Sequence, residues 1–320
     1  MAKDRREGIL LESGTNEVEI IEFYVRGQSF GVNVAKVRQL IVFEEGALSA
    51  MPNCPRAYRG VYLHRDQTMP LIDLGDALNL QEPENGKEPS LLLICSFNMS
   101  TIAFAIDGVN RIHRLSWSSF TPLNPFLSES CDSIIGSVNI DNREILITDL
   151  EQIIAEYDPK VKAMYTPEDA SPETGISMST YEQQVFMAED SSLIRSVIDR
   201  EMKRSGFTNV HIFSNGQEAL NAITKLVDDC RKENKPLAGV VDVVVSDIEM
   251  PLLDGLSLCK RIKQELHLEI PVMIYSSLID DEMARKCVSV GADAYFSKPN
   301  IGALIEAVRK KVDELFPKKK

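Results

Sequence analysis

Charged and polar side chains follow the apolar runs in the C-terminal half of the chain. Glu189 and Asp190 stand directly after one run, and Asp247 stands just after a later one. Ser276 ends a further run, and Lys298 follows the last one. Carboxylates, a hydroxyl group and an ammonium group can bind cations and take part in nucleophilic chemistry. If the runs are strands of one sheet, these five residues form a candidate site.

The segments around these residues alternate between strand and helix patterns. Residues 240–245 are valines apart from Asp242, and such an apolar run is typical of a strand buried on both faces. Between the runs, apolar residues recur at helical spacing, as in residues 193–202, 256–266 and 301–315. Five such strand–helix units predict a parallel sheet covered by helices on both sides. Ligands bind at the carboxyl ends of the strands in such sheets, where all five candidate residues would lie.

Three carboxylates at one edge of a sheet repel one another, and each resists ionisation unless a cation shares the site. A divalent ion with oxygen ligands removes this conflict, and we predict Mg²⁺. The same ion neutralises an incoming phosphoryl group, whose transfer requires mainly positioning and charge stabilisation. In such a site Ser276 donates a hydrogen bond to a phosphoryl oxygen. The alternative is a solvated acidic edge, which the ordered set at four strand ends disfavours.

Each remaining candidate has a predicted role. Asp247 is the nucleophile that takes the phosphoryl group and is also a metal ligand. Asp190 binds the metal directly, Glu189 supports it through water, and the backbone carbonyl of Glu249 supplies a further oxygen. The ammonium group of Lys298 pairs with Asp247 and later with the phosphate, because it carries the opposite charge.

The ordered motifs resemble those of a known family. They are VFMAEDS (185–191), SDIEMP (246–251), DG (254–255), PVMIYS (271–276) and GADAYFSKP (291–299). With them, residues 183–316 resemble a response-regulator receiver domain, which is α/β and flavodoxin-like with a five-stranded parallel sheet. The resemblance implies self-catalysed phosphoryl uptake from a histidine kinase. It also implies a switch in which Ser276 moves toward the phosphate and Tyr295 turns inward. The alternative is that Tyr295 is only a packing residue of its strand.

Some features depart from the pattern of the receiver family. Glu189 stands where the family usually has Asp, so its carboxylate lies roughly an ångström farther out. The segment 228–241 is longer than a minimal receiver requires, and the sequence does not predict its role. Glu249 places an acid near the path of the water that attacks the phosphorylated Asp247. We therefore expect Glu249 to affect the lifetime of the phosphoryl group, and the sequence does not predict whether it lengthens or shortens it.

The N-terminal half contains many short strand patterns and no catalytic set. Phe30, Val32 and Val34 alternate as in a half-buried strand. Gly, Asn and Asp residues separate the runs, and many short strands at this spacing predict barrels or a sandwich. A helix over residues 149–157 closes this half, because Leu150, Ile153 and Ile154 share one face.

This half resembles a CheW-like domain, an all-β fold of two SH3-like β-barrel lobes found in chemotaxis coupling proteins. The matching stretches are residues 18–41, 53–55, 60–65, 69–74, 105–112, 134–136 and 145–150. The resemblance implies binding to the cytoplasmic tip of chemoreceptors (methyl-accepting chemotaxis proteins) and to the histidine kinase CheA. It places Arg65 near the receptor-contact surface; an ordinary surface arginine is the alternative. The run Leu63-His64-Arg65-Asp66 departs from the Asn-Leu-Arg-Gly common in that family.

The chain is thus predicted to be multidomain. A tail (1–15) precedes the coupling domain (16–157), a Pro- and Ser-containing linker (158–180) follows, and the receiver (181–317) comes last. This order resembles that of the CheV family of chemotaxis coupling proteins. It implies a scaffold that couples chemoreceptors to CheA and is regulated by phosphorylation at Asp247. The protein would then not be an enzyme beyond self-catalysed phosphoryl uptake and loss. The alternative is a response regulator that acts mainly as a phosphate sink for CheA.

Composition argues against several other classes of function. The 320 residues include 35 Lys and Arg against 48 Asp and Glu, a net charge of −13. This acidic balance, together with the lack of a helix-turn-helix pattern, argues against nucleic-acid binding. The sequence contains neither a run of 18 apolar residues nor a signal-peptide core. We therefore expect a cytoplasmic protein without membrane insertion, recruited to membrane-associated receptor arrays through its partners.

Overall fold

The computed structural model describes residues 16–82, 89–97, 100–123, 133–157 and 180–317. Within them, residues 17–157 belong to one compact unit and residues 180–317 to a second. The predicted tail (1–15) and all but the last residue of the predicted linker (158–180) lie outside the described residues. The domain boundaries therefore stay predictions.

The described residues of the first unit form two six-stranded sheets. One sheet contains Glu17–Val25 (β1), Gln28–Asn33 (β2), Gly108–Ser116 (β9), Phe120–Pro122 (β10), Ile134–Ile140 (β11) and Arg143–Thr148 (β12). The other contains Val37–Val42 (β3), Leu48–Ser49 (β4), Tyr58–His64 (β5), Gln67–Asp73 (β6), Leu91–Phe97 (β7) and Ser100–Ile106 (β8). The strand orders are β10-β11-β12-β2-β1-β9 and β3-β7-β8-β6-β5-β4. The all-β, two-lobed fold predicted for this half is confirmed.

Two α-helices accompany these sheets in the described part of the unit. They are Leu74–Ala77 (α1) and Leu150–Tyr157 (α2). The Asp149 carboxylate accepts hydrogen bonds from the amides of Glu151 and Gln152 at the start of α2, which satisfies donors that the helix leaves unpaired. Strands of both sheets and α2 bury apolar side chains in one core, which includes Phe23, Phe30, Leu93, Phe104 and Ile153.

The second unit is a parallel sheet with helices. Its strands are Tyr181–Ala188 (β13), Phe207–Phe213 (β14), Val243–Ser246 (β15), Val272–Ser276 (β16) and Ala294–Ser297 (β17). Its helices are Ser192–Arg204 (α3), Gly216–Glu233 (α4), Gly255–Lys260 (α5), Asp281–Val290 (α6) and Ile301–Leu315 (α7); a π-helical turn, Arg261–Glu265, extends α5. All strand pairs are parallel, and the order is β14-β13-β15-β16-β17. This is the flavodoxin-like order, and the prediction of a five-stranded parallel sheet is confirmed.

Alternation along β13 shows why helices cover both faces of this sheet. Phe186 packs into a core with residues of α4, α5 and α6. Val185 and Met187 pack into a second core with residues of α3 and α7. Successive side chains of a strand point to opposite faces, so the apolar stretch 185–188 of β13 requires a core on each side.

The segment before β15 differs from the sequence prediction. Helix α4 ends at Glu233, and Asn234 follows it in the left-handed conformation (φ 53°). The run 240–245 was expected to be strand throughout, yet β15 begins only at Val243. The Asp242 carboxylate accepts hydrogen bonds from the amides of Gly239 and Gln184 at 2.8 Å. These bonds hold the residues just before β15 in a turn.

Among the helices in the described part of the chain, none is long and apolar enough to cross a membrane.

Candidate functional site

The carboxyl ends of two neighbouring strands bring the acidic residues together. Glu189 and Asp190 follow β13, and Asp247 follows β15. The strands are paired up to Ala188 and Ser246, and the Asp247 amide donates to the Ala188 carbonyl at 2.9 Å. As a result, oxygens of the three carboxylates all lie within 4.8 Å of one another.

Lys298 reaches this acidic cluster from the loop after β17. Its Nζ lies 2.8 Å from Oδ2 of Asp247 and 2.8 Å from Oε2 of Glu189. The lysine is only 3% exposed, and Asp247 and Glu189 are also buried. Buried charges persist only when they are paired and hydrogen-bonded, so the ammonium group and the two carboxylates depend on one another.

The acidic cluster has the composition of a metal site. Its donors are carboxylate oxygens from Glu189, Asp190 and Asp247, and Lys298 offsets one of their three negative charges. A hard divalent cation prefers oxygen donors and would balance the remaining charge. The residues present therefore fit a divalent metal ion.

Hydrogen bonds and close packing fix the backbone around Asp247. One carboxylate oxygen of Asp247 accepts from the Ile248 amide at 2.6 Å. Asp254 begins α5 by accepting from the Ser257 amide at 2.7 Å and its hydroxyl at 2.6 Å. Burial raises the pKa of Asp254, and the hydrogen bonds from Ser257 oppose that rise only in part. A Cβ atom on Gly255 would lie 1.8 Å from the Asp247 carbonyl oxygen, so only glycine fits there.

The other residues singled out in the receiver sequence lie near this edge of the sheet or on its strands. Ser276 ends β16 and is fully buried, and its Oγ accepts from the Leu278 amide at 3.4 Å. Tyr295 lies on β17 and is 40% exposed. Glu249, two residues beyond Asp247, is buried. Their roles in binding and switching stay predictions.

Arg65 belongs to the first unit. It forms the turn between β5 and β6 together with Asp66, and both residues have positive φ angles, 47° and 61°. Its side chain is exposed. This position leaves Arg65 accessible, and its predicted role in partner binding stays a prediction.

One residue near the acidic cluster was missed by the sequence reasoning. Arg195, in the first turn of α3, donates from Nη1 to the carbonyls of Glu189 at 2.8 Å and Asp190 at 2.6 Å. Backbone carbonyls occur at every position, so no residue type marks such a contact. Its position one helical turn after an acidic pair was the only signal available.

Two protein-family models match the chain, one to each half. The CheW-like domain model matches residues 19–158, and the response regulator receiver domain model matches residues 185–309. Together they cover 265 of the 320 residues (140 plus 125). The first unit therefore corresponds to the CheW-like domain family and the second to the receiver domain family.

Known proteins are similar to the whole chain or to one of its halves. Chemotaxis protein CheV3 of Helicobacter pylori is 27% identical over 93% of this chain and 96% of its own length. The scaffolding protein TtCheW of Thermoanaerobacter tengcongensis is 18% identical over 43% of this chain and 92% of its own (TM-score 0.38). The Francisella response regulator 1452 receiver domain is 30% identical over 42% of this chain and 98% of its own (TM-score 0.35). The family models and the full-length relative support a CheV chemotaxis protein, with a CheW-like domain followed by a response regulator receiver domain.

Proposed function

We propose that this protein is a chemotaxis scaffold that couples chemoreceptors to the histidine kinase CheA and is regulated by phosphorylation of Asp247. The observation that carries the proposal is the buried cluster of Glu189, Asp190, Asp247 and Lys298 in a chain whose other half matches the CheW-like model. The cluster supplies a phosphoryl acceptor, and the CheW-like half supplies the means of docking.

In the proposed reaction, a carboxylate oxygen of Asp247 attacks the phosphorus of a phosphohistidine on the kinase. The new O–P bond forms as the N–P bond breaks, and the imidazole nitrogen keeps the electron pair and takes up a proton. Lys298, 2.8 Å from Asp247, then pairs with the phosphoryl oxygens. No other covalent step is required.

The cation that fits the cluster of Glu189, Asp190 and Asp247 is Mg²⁺. The carboxylates of Asp190 and Asp247 would hold it, with support from Glu189 and from the backbone carbonyl of Glu249. When bound, it supplies charge stabilisation for the phosphoryl oxygens during transfer. The chain's own part is to hold these oxygens in place before the phosphoryl group arrives, which the buried contacts of Lys298 support.

The phosphorylated receiver must differ in surface from the free one if it is to regulate binding. Ser276 is buried at the end of β16, and Tyr295 is exposed on the adjacent β17. In the proposed switch the Ser276 hydroxyl moves to a phosphoryl oxygen, and the Tyr295 ring turns inward. A change from an exposed ring to a buried one would alter a surface that a partner could bind.

The CheW-like half is proposed to dock on the cytoplasmic tips of chemoreceptors and on CheA. It would place the protein in the cytoplasm, at membrane-associated receptor arrays. The exposed Arg65 at the β5–β6 turn is the proposed contact with receptors.

The central test is phosphoryl labelling of the full-length chain by phosphorylated CheA or acetyl phosphate in the presence of Mg²⁺. We expect Asp247→Asn to reduce labelling to background, because the amide is a poor nucleophile and cannot carry the acyl phosphate. Asp281→Asn, which changes an exposed acid at the start of α6, is the matched control and should label like the wild type. Persistent labelling of Asp247→Asn would place the acceptor elsewhere and refute the proposal.

A further inference from the structure

Arg195 makes an unusual pair of contacts beside the acidic cluster. A single nitrogen, Nη1, donates to two successive backbone carbonyls, that of Glu189 at 2.8 Å and that of Asp190 at 2.6 Å. A guanidinium Nη carries two hydrogens in a fixed plane, so each carbonyl can receive one of them.

These two carbonyls determine the orientation of Asp190. The carbonyl of residue 189 belongs to the peptide plane before the Asp190 Cα, and the carbonyl of residue 190 belongs to the plane after it. Because peptide groups are planar, fixing both planes fixes the two backbone dihedral angles of Asp190 and hence the direction of its Cα–Cβ bond. The carboxylate of Glu189 is held independently by its contact with Lys298.

We propose that Arg195 is a positioning residue that directs the Asp190 carboxylate into the metal site. This inference rests on the proposed function, since it requires the cluster to bind a divalent cation. Arg195 contacts the backbone rather than the carboxylates, so it acts through Asp190 and is not a metal ligand. Groups that orient metal ligands in this way commonly change metal affinity by roughly 10- to 100-fold when removed.

A purely structural role at the start of α3 is the competing explanation. The helix already has a cap, because Ser191 accepts a hydrogen bond through its side chain from the Ile194 amide. Apolar residues of α3, including Ile194 and Ile198, also anchor the helix in the core. The loss of Arg195 should therefore affect the metal site more than the fold.

The test measures Mg²⁺ affinity by calorimetry for the full-length wild type, Arg195→Met and Arg195→Lys. Arg204→Met is the matched control, because Arg204 lies on the same helix and its side chain is 55% exposed. We expect the affinity of Arg195→Met to fall roughly 10-fold or more, while Arg204→Met remains unchanged. Arg195→Lys should lie between them, since it keeps the charge but loses the planar donor pair.

Two further measurements separate positioning from folding. In EDTA, the thermal unfolding midpoint of Arg195→Met should match that of the wild type. In labelling with acetyl phosphate, the variant should require more Mg²⁺ for half-maximal rate, and its rate at saturating Mg²⁺ should approach the wild-type rate. A merely structural role would instead lower the midpoint and leave the Mg²⁺ requirement of the folded fraction unchanged.

Wild-type Mg²⁺ affinity in Arg195→Met would overturn the inference and leave the proposed function intact. If Arg195→Met does not fold, Arg195→Lys decides the matter, and a wild-type Mg²⁺ affinity in that variant overturns the inference. If the wild type itself neither binds Mg²⁺ nor accepts a phosphoryl group at Asp247, the proposed function fails as well.

Discussion

Gly255 shows how closely the backbone packs around Asp247, the proposed nucleophile. A Cβ atom at this position would lie 1.8 Å from the Asp247 carbonyl oxygen and 2.8 Å from the Ser246 hydroxyl. The Gly255 amide also donates to the Ile248 carbonyl at 3.0 Å, so the chain cannot move away without losing this bond. Glycine is required here for space rather than for a special φ angle.

We therefore expect Gly255→Ala to destabilise the receiver by about 1–3 kcal/mol, as overpacking does. Labelling of Asp247 should fall as well, because the displaced atom is the backbone carbonyl oxygen of Asp247 itself. Gly302→Ala is the control: nothing lies within 4 Å of its added Cβ, and alanine in α7 should stabilise by up to about 1 kcal/mol. Urea unfolding, monitored by hydrogen exchange of receiver peptides, measures the stability of both variants. Unchanged stability and labelling in Gly255→Ala would contradict this account.

At the scale of residues, sequence reasoning identified the candidate site residues that stand at strand ends. It missed a residue whose side chain contacts backbone carbonyls. Asp247 and Lys298 were identifiable because the ends of parallel strands meet at one edge. The contact between Glu189 and Lys298 could not be predicted, since it depends on the reach of two long side chains. The role of Arg195 could not be predicted either, because its acceptors are backbone carbonyls, which all residues have.

At the scale of elements, the strands of the first unit bury a charged cluster that the sequence did not indicate. Glu22 on β1 is fully buried. It accepts from Asn110 on β9 at 2.8 Å and from Arg143 on β12 at 2.9 Å, and it shares a 2.8 Å hydrogen bond with His113 on β9. Burial opposes ionisation of Glu22, but the hydrogen bonds from His113, Asn110 and Arg143 outweigh it, so the pKa is lowered.

This lowered pKa predicts how the stability of the first unit depends on pH. Because the folded-state pKa lies below the ordinary value of 4.5, the stabilisation is present above pH 4.5 and is lost as pH falls through the folded-state pKa. Glu22→Gln should remove this acid sensitivity and cost about 1–3 kcal/mol at neutral pH, because charged partners lose their acceptor. The single tryptophan of the chain, Trp117, is buried in this unit and reports its unfolding by fluorescence.

Glu17→Gln provides the control on the same strand. Glu17 pairs with Arg114 at 2.6 Å, but both side chains are partly exposed, and such surface pairs contribute up to about 1 kcal/mol. Its variant should retain the acid sensitivity of the wild type. Equal pH profiles for the wild type and Glu22→Gln would show that Glu22 does not govern acid stability.

Elements with a strong apolar pattern were predictable, and the edge strand β9 was not. The helix predicted over residues 149–157 is α2, Leu150–Tyr157, whose apolar side chains share one face. The sequence did not single out β9 as a strand. It lies at the end of its sheet, and exposed polar residues such as Asn110, Arg111 and Arg114 interrupt the alternation. An edge strand buries less of its surface, so its sequence carries a weaker pattern.

At the scale of the whole molecule, the proposed function assigns acceptance of a phosphoryl group to the receiver and docking to the CheW-like domain. The predicted linker (158–180) would keep the receiver and the CheW-like domain at high effective concentration, so modest differences in contact could regulate docking. The rival is a phosphate sink, in which Asp247 drains the kinase and docking is incidental. The two functions differ in what the CheW-like half must do.

Co-sedimentation with receptor-bearing membranes and CheA distinguishes scaffold from sink. A scaffold should sediment both as wild type and as Asp247→Asn, because docking belongs to the CheW-like half. Arg65→Ala should weaken sedimentation roughly 10-fold if the arginine anchors the contact, as interface arginines often do. Arg111→Ala is the control: Arg111 is an exposed arginine that pairs with Asp141 at 2.7 Å within the same domain, and its loss should leave sedimentation unchanged.

The same variants separate the two functions by their effect on the kinase. For a sink, loss of phosphoryl groups from CheA depends on Asp247 and is the same for wild type and Arg65→Ala. For a scaffold, Arg65→Ala alters receptor control of CheA even though Asp247 still accepts phosphoryl groups in solution. If neither wild type nor Asp247→Asn sediments with receptors and kinase, the scaffold is refuted. A phosphoryl-accepting receiver would then be the remaining function, because its chemistry depends on the buried pair of Asp247 and Lys298 and not on docking.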